Sequence, residues 1–154
     1  MEEMAAEYPD VVFLHCSGYK SNDSNYTNYF GKIYEARYLS GLAAGSLTES
    51  NKIGYVAAFP IPEVIRGINA FAVGVKEVNP NATVEVVWTN TWFGPEEETQ
   101  AANALLEAGA DVLTQHQDSA STGIAAEAAG AKWIGYHTGY GQDAAPNAFV
   151  TAPV

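Results

Sequence analysis

Along the chain, short runs of β-branched and aromatic residues alternate with longer stretches in which apolar residues recur every three or four positions. Val11–Leu14, 53–59 (IGYVAAF), 83–89 (TVEVVWT), 111–116 (DVLTQH) and 132–137 (KWIGYH) predict five strands, and Phe149–Thr151 begins a sixth. Most of these runs are continuously apolar, as expected of strands covered on both faces.

The intervening stretches carry helix punctuation. Pro62 and Glu63 open a helix whose inner face is Val64, Ile68, Phe71 and Val75, and Asn79-Pro80 closes it. Pro95 followed by Glu96, Glu97 and Glu98 opens the next. These acids read as a solvated helix start at the positive end of the dipole. Leu105 and Leu106 mark its buried side and Gly109 ends it. Ser119 or Ser121 caps an alanine-rich helix that ends at Gly130. Strand and helix in strict alternation predict an α/β fold with a doubly wound parallel sheet and right-handed crossovers.

The first fifty residues follow this rhythm less well. They offer one strand, a polar loop from Ser17 to Asn28 and a long helix over about 29–47. Gly41, Ala44 and Gly45 put small residues on one side of that helix, which predicts close packing against another element. Thr48–Asn51 is a polar joint. The strand at 11–14 either joins the main sheet or ends a separate lobe.

Composition narrows the function. The 154 residues are 47% hydrophobic, enough for a sizeable core, and only 16% charged, against about 25% in ordinary domains. Seven basic residues face 18 acidic ones, for a net charge of −11. That balance argues against nucleic acid, whose phosphates need a basic footprint, and against anionic membrane surfaces. No stretch is long and apolar enough to insert into a bilayer, and the acidic opening is unlike a signal peptide's basic start. The lone Cys16 rules out an internal disulfide and reads as a buried, inert thiol.

Ligands of open parallel sheets bind beyond the carboxyl ends of the strands. The segments there are rich in aromatics and amides: Tyr19 and Lys20, Phe59, Asn90 and Trp92, Asp118, and Tyr136 and His137. Aromatic faces with a few amide and carboxylate partners suit a flat hydrogen-bonding solute such as a nucleobase. Stacking on Trp92 would contribute about 1–3 kcal/mol, and Asp118 would accept from an exocyclic amine or a sugar hydroxyl. Phe59 reads equally well as a core residue. Arg37 and Lys20 are further polar candidates near a cleft, while Arg66 reads as an ordinary surface cation.

Several collinear motifs then point to a family. Residues 52–71 (KIGYVAAFPIPEVIRGINAF), 87–92 (VWTNTW), 109–119 (GADVLTQHQDS), 17–20 (SGYK) and 34–41 (YEARYLSG) resemble the basic membrane protein (BMP) family of ABC-transporter substrate-binding lipoproteins, relatives of purine nucleoside receptors. The resemblance implies a type I periplasmic-binding-protein fold that holds a purine base or nucleoside between two lobes and hands it to a transporter permease. It implies a periplasmic or extracytoplasmic, membrane-anchored whole protein of about twice this length. Residues 1–48 would be the end of the N-terminal lobe with a hinge helix, and 52–154 a truncated C-terminal lobe. The segment from Thr138 to Ala145 departs from the family pattern.

Other chemistries have less behind them. Asp118, His116, His137, Ser17 and Ser119 lie near strand ends, but no nucleophile elbow, phosphate loop or dinucleotide fingerprint is present. His15, Cys16, His116 and His137 lack metal-ligand spacing and read as hydrogen-bonded histidines and a plain thiol. The expectation is a receptor without cofactor or metal. A metabolite-sensing module of the same fold is the first alternative, and a small nucleoside-processing enzyme the second.

Overall fold

The computed structural model describes residues 1–137 and 139–153. They form two compact units, 1–32 and 33–154.

The first unit holds helix α1 (Glu2–Glu7) and two parallel strands, β1 (Phe13–Cys16) and β2 (Tyr26–Tyr29). β2 falls where the sequence reads as a polar loop. Asn22 explains how a strand arises there: its Oδ1 accepts from the amides of Ser24, Asn25 and Tyr26, a side-chain-closed turn that launches the strand. The Asn25 amide, almost buried, donates to the carbonyls of Ala5, Tyr8 and Val11 and ties helix to strand. A buried Cys16 is not observed. Burial alternates along β1, with Phe13 and His15 half-covered and Leu14 and Cys16 on the exposed side. β1 pairs with β2 and takes no part in the larger sheet.

The second unit begins with helix α2 (Ile33–Leu47), followed by β3 (Lys52–Ala57), α3 (Pro62–Val78), β4 (Thr83–Trp88), α4 (Pro95–Glu107), β5 (Val112–Gln115), α5 (Ser121–Ala129), β6 (Lys132–Ile134), α6 (Gly141–Ala144) and β7 (Phe149–Thr151). The five strands pair in parallel in the order β4-β3-β5-β6-β7. This is a doubly wound sheet whose winding reverses at β3. Interior strands β3 and β5 are continuously buried beyond Lys52, whereas edge strand β4 alternates over its first four residues.

Two cores flank the sheet. Ile53, Tyr55, Ala57, Val112 and Ile134 pack with Ala44, Val64, Phe71 and Val75 of α2 and α3. On the other face Val56, Leu113 and Trp133 pack with Ala101, Leu105 and Ala126 of α4 and α5. The period of two along each strand sends alternate side chains to the two faces.

The small residues of α2 serve the close approach expected of them. A side chain at Gly41 would strike the Phe71 carbonyl of α3, and one at Gly74 would strike the Tyr38 carbonyl of α2. The helix itself starts four residues later than the periodicity suggests. The cap of α5 also differs: Ala120 stands at the N-cap, and the Ser119 hydroxyl accepts from the Ser121 amide.

Candidate functional site

The winding reverses between β3 and β5, so the connections on either side of that point part to opposite faces of the sheet and open a crevice at the strands' carboxyl ends. Residues 58–61, 89–94, 116–120, 135–137 and 139–140 converge there. Asn90 donates its amide to the Ala58 carbonyl, His116 to Val56, and Asp118 to Trp92, each at 2.9–3.0 Å. The loops are thus extensions of the sheet's own hydrogen bonding.

Four of the expected residues present themselves together. The Phe59 and Trp92 rings lie 5.6 Å apart, tilted by 52°. Phe59 is half-buried and Trp92 is 38% exposed. Asn90 and Asp118 are exposed beside them. Asn90 sits at φ 55°, in the left-handed region that asparagine tolerates well. The Tyr140 hydroxyl donates to the Asp118 carbonyl at 2.8 Å and joins the last loop to this group.

His137 is exposed and also has positive φ, 49°. Histidine, like asparagine, is enriched in that region. Thr138 lies outside the described residues. Tyr136 does not face outward. It is 6% exposed, with its ring centroid 3.9 Å from that of His137 and 4.1 Å from the Arg37 guanidinium.

Arg37 is the residue whose role the sequence concealed. Reaching in from α2, it is fully buried. Its Nη2 donates to the Gln115 carbonyl at 2.6 Å and its Nη1 to the Thr114 hydroxyl at 3.3 Å. Two tyrosine faces, Tyr136 and Tyr55, flank the cation. Desolvation pulls its pKa down, against the opposing pull of these tyrosines. Burial also drives the Tyr55 and Tyr136 hydroxyls up, although Arg37 opposes this.

His116 belongs to the same cluster. Its Nε2 is 3.5 Å from the Tyr55 hydroxyl and its ring is 5.2 Å from Tyr136. Burial, reinforced by Arg37 and His137, lowers its pKa to about 2, so the imidazole is neutral at all ordinary pH. The neutral ring is wedged under the loops, and of its two nitrogens only Nε2 has a polar neighbour, the Tyr55 hydroxyl, while Nδ1 is buried without a hydrogen-bond partner among the described residues.

A second polar network underlies the loops from the opposite face. Glu98 is fully buried, which overturns the reading of residues 96–98 as a uniformly solvated helix start; Glu96 and Glu97 are exposed. One turn into α4, the Glu98 side chain points back under the loops. Its carboxylate accepts from the Gly94 amide at 3.0 Å and the Ser119 hydroxyl at 2.5 Å. The Gln115 amide donates to the carbonyls of Gln117 and Ser119, and Trp133 Nε1 donates to Gln115 Oε1. Gln117 Nε2 reaches Thr89 Oγ1 at 2.7 Å. The side chains of this network are each hydrogen-bonded, as burial requires.

Tyr19 and Lys20 belong to the first unit. They line an open hollow there with His15 and Tyr26, where His15 Nδ1 lies 3.1 Å from the Tyr26 hydroxyl. Lys20 is ion-paired with Glu2 and Tyr19 is 87% exposed.

Parallel sheet, switch-point crevice and aromatic–amide lining define a type I periplasmic-binding-protein lobe. Solved relatives share it. An ABC transporter solute-binding protein from Conexibacter woesei superposes with a TM-score of 0.66 at 29% identity, over 86% of this chain and 45% of its own. One from Aeropyrum pernix K1 reaches 0.73 at 21% identity, over 88% and 42%, and bears on the fold alone. The family described as ABC transporter substrate-binding protein PnrA-like matches residues 1–154, and the chain belongs to it, the Bmp family. A Haloferax volcanii protein named as an ABC transporter glucose-binding protein is 50% identical over the whole chain, and a Brucella abortus purine-binding protein is 41% identical over 86% of it. The chain spans 39% and 38%, respectively, of these two relatives' lengths.

Proposed function

We propose that this chain is the solute-recognising part of an ABC importer's substrate-binding protein, and that its ligand is a purine base or nucleoside. The observation that carries the reading is the contact of half-buried Phe59 with exposed Trp92, flanked by Asn90 and Asp118 at the sheet's switch point. A planar base stacks on the aromatic pair, and the amide and carboxylate engage its exocyclic groups or a ribose hydroxyl. His137 borders the same crevice and Tyr136 supports it from beneath, while Tyr19 and Lys20 remain candidates for polar contacts on the first unit. In the whole protein, two lobes close on the ligand by hinge motion. That protein works outside the cytoplasm, anchored at the membrane, and delivers its cargo to the permease. No bond is made or broken, so neither cofactor nor catalytic residue is needed. The 41% identity to a purine-binding protein supports this choice.

A second reading is a hexose ligand, supported by the relative named for glucose binding. The apolar face of a sugar ring also packs on Trp92, with Asn90 and Asp118 taking its hydroxyls.

Titration calorimetry with adenine, adenosine, guanosine, inosine and glucose separates the two. Purine binding that weakens at least tenfold in Trp92→Ala and Asp118→Ala is the expected result. Glucose binding alone would establish the second reading, and purine affinity unchanged in both variants would overturn the first.

A further inference from the structure

We propose that Glu98 is a positioning residue for the ligand-facing loops: its buried carboxylate clamps residues 89–94 to residues 116–120, and so fixes Trp92 against Asp118. The inference rests on the crevice described above being the ligand site.

The geometry is specific. Glu98 is 0% exposed, and its two oxygens are divided between the two loops. One accepts from the Gly94 amide at 3.0 Å, and the other from the Ser119 hydroxyl at 2.5 Å. Gly94 follows Trp92 by two residues, and Ser119 adjoins Asp118. A single carboxylate therefore ties the chain immediately after one ligand-facing residue to the chain immediately after the other. The backbone adds one direct tie, from the Asp118 amide to the Trp92 carbonyl at 3.0 Å.

The first turn of α4 is where a buried carboxylate costs least, because free amides and the helix dipole face it. Helix capping alone would leave the second oxygen to water. Here that oxygen takes the hydroxyl of another loop. Ser119 is held in turn by Ser121, whose hydroxyl is 2.9 Å away, and by Gln115, whose amide donates to the Ser119 carbonyl. An exposed, half-supported Trp92 would have to be ordered at the moment of binding, and holding it beforehand removes that entropic cost.

The test uses the 154-residue chain labelled with 5-fluorotryptophan, whose three tryptophans give three ¹⁹F lines. In Ser119→Ala and Glu98→Ala the Trp92 line should broaden or shift, while that of Trp88, on edge strand β4, holds. Glu98→Gln, which keeps one acceptor and can donate to Ser119, should restore much of the wild-type spectrum. The double variant should be no worse than Glu98→Ala, because both break one bridge. Whichever panel compound binds the wild type should bind both alanine variants about tenfold more weakly, through faster dissociation. A Trp92 line unchanged in Ser119→Ala and Glu98→Ala would overturn the proposal, as would equal changes at Trp88, which signal general loosening. If Glu98→Ala does not fold, Ser119→Ala decides. If the wild-type chain binds no compound in the panel, the Trp92 line alone judges the clamp.

Discussion

The Arg37 guanidinium lies 4.1 Å from the centroid of the Tyr136 ring, and both side chains are buried. One residue comes from the first helix of the unit and the other from the end of its fourth strand. The contact is thus a cross-brace between segments almost a hundred positions apart. Arg37 also holds the Gln115 carbonyl, so the ends of β5 and β6 are braced by one side chain.

Removing it should therefore cost more than a surface charge would. Arg37→Ala leaves a cavity, an unpaired Gln115 carbonyl and an unsupported Tyr136, for a loss of about 3 kcal/mol. Arg37→Lys keeps the charge but not the planar fork, and should recover less than half of that loss. The midpoint and slope of urea unfolding check both.

The packing of α2 on α3 sets a steric limit. At Gly41 an added methyl would meet the Phe71 carbonyl, which no rotamer change can relieve. Gly41→Ala should thus destabilise by about 1–3 kcal/mol, even though alanine is the better helix former. A thermal melt would show it, and a stabilised Gly41→Ala would mean that the helices are free to separate.

His116 predicts a pH dependence of stability. Its folded pKa, about 2, lies below the unfolded value near 6.5, so between these two pH values the unfolded chain binds the extra proton. The stabilising contribution is complete above pH 6.5 and is lost as pH falls through the window from 6.5 toward 2. By pH 5 the loss should be about 2 kcal/mol relative to pH 7. Urea midpoints between pH 7 and 5 check this, and His116→Gln should flatten the slope.

Asp111 guards the entry to β3. Burial works against its charge, but hydrogen bonds from the Thr48 hydroxyl and the Ser50 and Glu49 amides outweigh this and hold its pKa below the ordinary value. Asp111→Ala should cost about 1–2 kcal/mol at neutral pH. The difference from wild type should shrink as pH falls through the acidic pKa range, where the wild-type carboxylate is itself protonated. Parallel urea titrations at pH 7 and pH 3 measure it.

Much of the architecture was visible in local pattern. The apolar run at 53–59 became interior strand β3, because burial on both faces favours continuous apolar residues, while 111–116 became β5, whose Thr114 and Gln115 are buried through hydrogen bonds. Pro62, Pro95, Gly109 and Gly130 set helix ends through their own backbone constraints, which need no partner. Gly41 and Gly45 announced a close contact, though not with which helix. That Trp92, Asn90 and Asp118 lie in loops on one side of the sheet was legible from the rule that loops after parallel strands gather there.

The sequence by itself therefore determined the order of elements, the parallel sheet and the loops that gather at the strands' carboxyl ends. Each of these depends on period, propensity or chain direction over a few residues. Only the tertiary structure decided that Arg37 and Glu98 are buried supports while Tyr19 and Lys20 are exposed on a separate unit. It also decided that Tyr136 lies beneath the crevice and that His116 is a neutral wedge. A charged or aromatic side chain looks the same in the sequence whether it meets water or a carbonyl seventy-eight residues away. Its environment is set by partners that only the folded chain brings within hydrogen-bonding distance.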